Sequence, residues 1–161
     1  MANFKEMYQS YSSDVYHFAY WLTGDADEAE DITSETFVRA WINFKSIRTE
    51  TLKAYLFTIA RNFYLQQQRK KKRQADLDEN HPDPAPGPEQ MAEYKDDLHL
   101  AQSIMQRLPE NDRTAFVLRV QHGLAYAEIA RILALSEVAA KVKVHRVRKK
   151  LLEARLEKEI P

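Results

Sequence analysis

The sequence predicts an all-α protein made of two small helical domains. Apolar residues recur at three- and four-residue steps along most of the chain, and no segment keeps the two-residue alternation of a strand over a useful length. The stretch 75–91 is acidic, lacks periodicity and holds four of the six prolines, which is typical of a linker. Because 161 residues with 44% hydrophobic content suffice for one or two compact cores, we expect domains at 1–74 and 92–161, joined by a flexible acidic, Pro-rich linker.

The first two predicted helices provide a core and an acidic face. The first helix begins near Phe4 and ends at Gly24. Asp25 then offers an N-cap, with Glu28 three residues later as in a capping box, and the second helix runs to about Trp41. Its outer side carries a stripe that consists of Asp27, Asp31, Ser34, Glu35 and Val38. This stripe is either a solvated face favoured by the helix dipole or a docking surface for a basic partner helix.

The third predicted helix follows a loop at 43–51 and ends in the basic run 69–73. Its buried stripe is expected to consist of Leu52, Tyr55, Leu56, Ile59 and Phe63. The opposite side would then present Phe57, Arg61 and Tyr64 to solvent. Rings beside cations suit single-stranded or melted nucleic acid, because unstacked bases stack on the rings while the cations follow the backbone. The alternative is that Phe57 and Tyr64 pack against another helix.

The second domain is expected to be a bundle of four helices that ends in a helix-turn-helix at 124–150. Ser136 is a good N-cap for the last helix, in which Ala140, Val144, Val147 and Leu151 form a narrow apolar stripe. The side opposite or flanking that stripe carries Val138, Lys141, Val142, His145, Arg146, Arg148 and Lys149. A capped, basic helix of this kind suits the DNA major groove, where cations meet phosphates or guanine edges and valine touches thymine methyls.

The charge distribution is compatible with nucleic acid although the formal net charge is zero. Residues 1–50 carry nine acids and four bases, and residues 51–73 carry seven bases and no acid. Residues 74–112 carry ten acids and two bases, and residues 113–161 carry eleven bases and five acids. Separate faces can therefore meet DNA and a basic protein partner.

Several classes of protein are disfavoured by the composition. The chain has no cysteine, five scattered histidines and only three glycines, so we expect no disulfide, no metal site, no cofactor and no phosphate-binding glycine loop. No nucleophile motif stands in a strand-turn-helix context, so an enzyme is not expected. No apolar run approaches a membrane span and the N-terminus lacks the pattern of an export signal, which predicts a cytoplasmic protein without membrane insertion.

Four segments together resemble the extracytoplasmic-function (ECF) group of bacterial RNA polymerase sigma factors. They are DEAEDITSETFVRAW at 27–41, KAYLFTIARN at 53–62, LPENDRTAFVLR at 108–119, and GLAYAEIARILALS followed by KVKVHRVRKKL at 123–151. They cover nearly the whole chain except the linker. The resemblance implies that 1–74 is sigma region 2 and 92–161 is sigma region 4.

The resemblance also implies a role for each domain in promoter selection, with no cofactor. Region 2 would dock on the clamp coiled coil of core RNA polymerase through Asp31, Ser34, Glu35 and Arg39. It would read and open the −10 element through Arg48, Thr49, Arg61, Asn62 and Tyr64. Region 4 would meet the polymerase flap and read the −35 element through Lys141, Val142, Lys143, His145, Arg146 and Lys149. The partners so implied are core polymerase, promoter DNA and an anti-sigma factor of the kind that often holds this family inactive.

The chain departs from the family pattern at several positions. Ser34 stands where glutamine is usual, which shortens the reach of a docking side chain, and Gln66 replaces an aspartate. Ala125 lacks the hydroxyl of the usual N-cap serine, which costs on the order of 1 kcal/mol. Ala134 stands where glycine is common, and at positive φ it costs on the order of 1 kcal/mol. Two other functions stay open from the residues alone: a stand-alone helix-turn-helix transcription regulator, and an interaction module that uses the fold without reading DNA.

Overall fold

The computed structural model describes residues 3–46, 52–77 and 97–159, and all regular structure in these ranges is helical. The first unit consists mainly of α1 (Phe4–Thr23), α2 (Ala26–Ile42), a 3₁₀ turn (Phe44–Ser46) and α3 (Leu52–Leu77). The second unit consists of α4 (Asp97–Arg107), α5 (Glu110–Phe116), a π-helical continuation (Val117–Gln121), α6 (Tyr126–Leu133) and α7 (Glu137–Glu159). The division into two compact helical units confirms the predicted fold class.

The turn between α1 and α2 follows the local signals of the sequence. Gly24 adopts φ +70°, a conformation that costs glycine little. The Asp25 carboxylate accepts a hydrogen bond from the Glu28 backbone N–H at 2.9 Å and so caps α2. Gly24 and Asp25, which were predicted from the sequence, therefore mark the end of α1 and the beginning of α2.

The predicted outward face of α3 is wrong for its two aromatic residues. Phe57 is fully buried, with its ring centroid 4.8 Å from that of Phe18, and Tyr64 is only 7% exposed. The buried residues of α3 are Leu52, Leu56, Phe57, Ala60 and Tyr64. Because α3 packs against α2 and also meets α1 through Phe18, its contact arc is wider than one stripe and is displaced from the predicted one. The alternative that Phe57 and Tyr64 pack against other helices is confirmed.

The end of α3 extends beyond the predicted first domain. The helix continues to Leu77, so the first three residues of the expected linker are helical. The rest of the expected linker, residues 78–91, lies outside the described residues. The domain limits 1–74 and 92–161 stay predictions.

The helix-turn-helix is built from α6 and α7, as predicted. Ala134 adopts φ 55° and ψ 48°, and the Leu135 N–H donates to the Ala130 carbonyl at 2.9 Å, which closes a Schellman-type end of α6. The Ser136 hydroxyl accepts from the Ala139 N–H at 3.1 Å and caps α7. Within the predicted apolar stripe, Ala140, Val144 and Val147 are fully buried, whereas Leu151 is only half-buried. The opposite side of α7 therefore faces outward.

Candidate nucleic-acid interface and partner surface

The outward face of α7 forms a shallow concavity of about 570 Å³. It is lined by Tyr126, Lys141, Val142, His145, Arg146, Arg148 and Lys149. Five of the six residues predicted to read the −35 element lie exposed on this face. Four cations and one valine thus line a surface that α7 offers to a ligand.

The sixth predicted residue, Lys143, has a different environment. Only 20% of its side chain is exposed, and its Nζ donates to Oδ1 of Asp112 at 2.9 Å. The other Asp112 oxygen lies 3.7 Å from a terminal nitrogen of Arg146. Sequence reasoning missed Asp112, because it is separated from Lys143 by 31 positions and no periodicity links the two.

Tyr126 connects the first turn of α6 to the concavity. The guanidinium of Arg119 lies 4.3 Å from its ring centroid, and the Lys141 ammonium lies 5.7 Å from the same ring. Arg119 in turn donates to the Leu124 carbonyl at 3.0 Å. The Tyr126 ring therefore attracts Lys141 through a cation–π contact at the edge of the concavity. The sequence analysis did not select Tyr126, although an aromatic residue at the start of the first helix of the helix-turn-helix was an available signal.

The predicted acidic stripe on α2 lies at the surface. Asp31 and Ser34 are exposed, while Glu35 and Arg39 are partly covered because they form an ion pair at 2.9 Å. Arg39 also donates to the Gln66 side-chain oxygen at 3.1 Å. Glu35 is consequently held in place by a cation that is itself fixed against α3.

An apolar groove adjoins this stripe and was not predicted. Its volume is about 330 Å³, and it is lined by Phe4, Tyr8, Thr33, Ser34, Phe37, Val38 and Trp41. Trp41 is 63% exposed and Val38 is 52% exposed. The rings of Tyr8 and Phe37 meet edge to face with centroids 4.9 Å apart. Polar side chains of the stripe and apolar side chains of the groove therefore lie side by side on the surface of α1 and α2.

The comparisons with known proteins identify the family of this chain. Residues 7–74 match the family model for sigma-70 region 2, and residues 98–151 match that for sigma-70 region 4. The ECF RNA polymerase sigma factor SigM of Bacillus subtilis is 33% identical over 151 residues, which are 91% of each chain. The chain belongs to the ECF sigma factors.

Two further proteins support this assignment. The ECF sigma factor SigW of Bacillus subtilis is 30% identical over 165 residues, and the match covers 92% of this chain and 86% of SigW. The sigma factor RpoE of Bartonella quintana, whose crystal structure contains the anti-sigma factor NepR, superposes with a TM-score of 0.76. Its sequence identity is 28%, over 93% of this chain and 94% of that one. This ECF sigma factor therefore acts in promoter-directed transcription initiation with RNA polymerase, and no finding favours a stand-alone regulator.

The residues of this sigma factor that are expected to contact the −10 element differ in their solvent exposure. Asn62 is exposed and Arg61 is half-buried, whereas Tyr64 is largely buried against the core. Arg48 and Thr49 lie outside the described residues. The basic run 69–73 is exposed, and within it Lys71 forms an ion pair with Glu28.

In the described parts of this ECF factor, we find no group of side chains that could bind a metal ion and no helix that could cross a membrane. No group of three or more His, Asp or Glu side chains is placed to hold a metal ion within residues 3–46, 52–77 and 97–159. In the same ranges no helix is long and apolar enough to cross a membrane.

Proposed function

We propose that α7 reads the −35 element through Lys141, Val142, His145, Arg146 and Lys149. The observation that carries this assignment is their exposure along one face of a capped helix whose other face is buried. A helix with this distribution enters the major groove with its cations near phosphates and guanine edges and its valine near thymine methyl groups. Lys143 differs from these residues, because only 20% of its side chain is exposed.

We also propose that region 2 docks on the clamp coiled coil of core polymerase through α2. Asp31, Ser34 and Glu35 supply polar contacts, and Arg39 holds Glu35 in position through their 2.9 Å ion pair. The neighbouring groove with Trp41 and Val38 supplies the apolar area that such a contact needs. Region 4 meets the polymerase flap, which the resemblance alone supports.

We propose that the −10 element contacts the segment before α3 and the exposed part of α3. Its proposed contacts are Arg48, Thr49, Arg61 and Asn62. Stacking of a base on Tyr64 would require that ring to leave the core, so its proposed role is limited to supporting α3. The basic run 69–73 then follows the backbone of the opened strand.

The chain supplies binding energy, and the polymerase supplies the chemistry. We therefore propose a non-enzymatic factor that works in the bacterial cytoplasm, where transcription takes place. An anti-sigma factor is a further proposed partner, because the related Bartonella quintana protein was crystallised with one.

Selection of random DNA by the reconstituted holoenzyme tests the proposed function. Core RNA polymerase is mixed with the full chain, bound fragments are sequenced, and transcript starts are mapped. We expect two short enriched motifs at fixed spacing upstream of the start. A sigma-dependent start site that appears with no enriched motif, or DNA selection that does not need core polymerase, would contradict the proposal.

Charge-reversed variants assign the upstream motif to α7. Lys141→Glu and Arg146→Glu should remove the −35 motif from the selected pool while core binding persists. Lys150→Glu is the matched control, because Lys150 is exposed on the same helix but does not line the concavity. Equal loss of the motif in all three variants would point to net charge rather than to the proposed contacts.

A further inference from the structure

Asp112 is a buried carboxylate that α5 directs at the recognition helix. The residue is 3% exposed and its side chain 4% exposed. One oxygen accepts from Lys143 at 2.9 Å, and the other lies 3.7 Å from Arg146. A single acid thus contacts two cations that are one helical turn apart on α7.

The two cations are held to different degrees. A buried charge is costly unless it is paired and hydrogen-bonded, and Lys143, with 20% of its side chain exposed, provides that pairing. Arg146 keeps 55% of its side chain exposed and has the longer distance to the carboxylate. A guanidinium has several N–H donors in a fixed plane, so Arg146 can face Asp112 with one nitrogen and a base edge with the others.

We propose that Asp112 is a positioning residue for −35 recognition, which withholds Lys143 from DNA and fixes the direction in which Arg146 approaches a base. This inference rests on the proposed reading of the −35 element by α7. It replaces the expectation that Lys143 contacts DNA. It also assigns to α5, outside the helix-turn-helix, a part in promoter specificity.

The salt dependence of binding separates this role from a purely structural one. The binding constant of the holoenzyme is measured between about 50 and 200 mM salt, on a selected promoter and on random duplex. The slope of the logarithm of this constant against the logarithm of the salt concentration reports the number of phosphate contacts. In Asp112→Asn the released Lys143 can reach a phosphate, so the slope on random duplex should steepen by about 0.9. The preference for the selected −35 sequence should fall roughly tenfold, because Arg146 loses its orientation. A variant that merely loosened the domain would weaken both kinds of binding and would not steepen the slope.

Variants at Lys143 keep the inference testable even if Asp112→Asn folds poorly. Lys143→Arg preserves the pair and should keep the wild-type slope. Lys143→Gln should also leave the slope on random duplex unchanged, since that lysine makes no phosphate contact in the wild type. Lys149→Gln is the matched control on the exposed face and should reduce the slope by about 0.9. Asp112→Asn/Lys143→Gln should return the slope to the wild-type value while the sequence preference stays low.

Two results would overturn the inference. One is a slope that falls by about 0.9 in Lys143→Gln, which would make Lys143 a phosphate contact. The other is an Asp112→Asn protein with normal sequence preference. Both can be told from a failure of the proposed function, because the random-duplex slopes are informative even if the wild-type holoenzyme shows no −35 preference.

Discussion

Replacing Ala134 with glycine should stabilise region 4, although it removes a side chain. Ala134 ends α6 at φ 55° and ψ 48°. In this left-handed conformation an L-residue costs roughly 1–2 kcal/mol, because Cβ comes close to the following carbonyl oxygen. Glycine has no Cβ and avoids that contact.

The expected gain is smaller than the strain that is relieved. Glycine also makes the unfolded chain more flexible, which offsets about 0.4–1 kcal/mol. The difference leaves roughly 0.5–1 kcal/mol in favour of Ala134→Gly. For a unit of this size, 1 kcal/mol corresponds to about 4–8 °C in Tm, so we expect the region 4 transition to rise by a few degrees.

Ala154→Gly serves as the matched control, because Ala154 lies inside α7. There glycine should cost about 1 kcal/mol relative to alanine. The unfolding of both variants is followed by circular dichroism of the full chain, with the transitions of the two units fitted separately. If Ala134→Gly lowered Tm as Ala154→Gly does, the strain argument would be refuted.

Three further predictions concern contacts on the surfaces of the two units. Gln66→Glu should turn the 3.1 Å hydrogen bond from Arg39 into an ion pair worth up to about 1 kcal/mol, and this gain should shrink in high salt in a denaturant titration. A hydrogen bond from Lys158 lowers the pKa of Asp97. A carboxylate whose pKa is lowered by folding stabilises the folded state at pH values above its unfolded-state pKa, and this stabilisation is lost as the pH falls through its folded-state pKa. Asp97→Asn should therefore flatten the acid side of a Tm against pH profile, and an unchanged profile would contradict this. Tyr126→Leu should weaken −35 binding several-fold through loss of cation–π contacts worth about 0.5–1 kcal/mol each, whereas Tyr126→Phe should retain most of it in fluorescence anisotropy.

Local features of this fold were predictable from sequence, and features that depend on several helices were not. The caps at Asp25 and Ser136 rest on neighbouring residues, so the sequence was sufficient to locate them. The orientation of Phe57 and Tyr64 depends on how α3 packs against two other helices, which one helical period does not encode. The pairing of Asp112 with α7 joins residues that are remote in sequence, so only the fold could place them together.

The pairing of acids with α7 has a consequence for how tightly region 4 holds DNA. The helix carries eight Lys and Arg residues, which by charge alone would give a salt slope of roughly 7. Asp112 engages Lys143, while Asp97 accepts hydrogen bonds from Arg155 at 2.5 Å and Lys158 at 2.8 Å, near the C-terminal end of α7. The cations that line the concavity are Lys141, Arg146, Arg148 and Lys149. Because only cations that reach phosphates release counterions, the α7 contribution to the slope should be roughly 3–4. Glutamine at all four of these residues should lower the slope of the holoenzyme by roughly 3–4, whereas glutamine at Lys143, Arg155 and Lys158 should leave it unchanged. A fall of roughly 2–3 in the second variant would show that the acid-paired cations contact DNA as well.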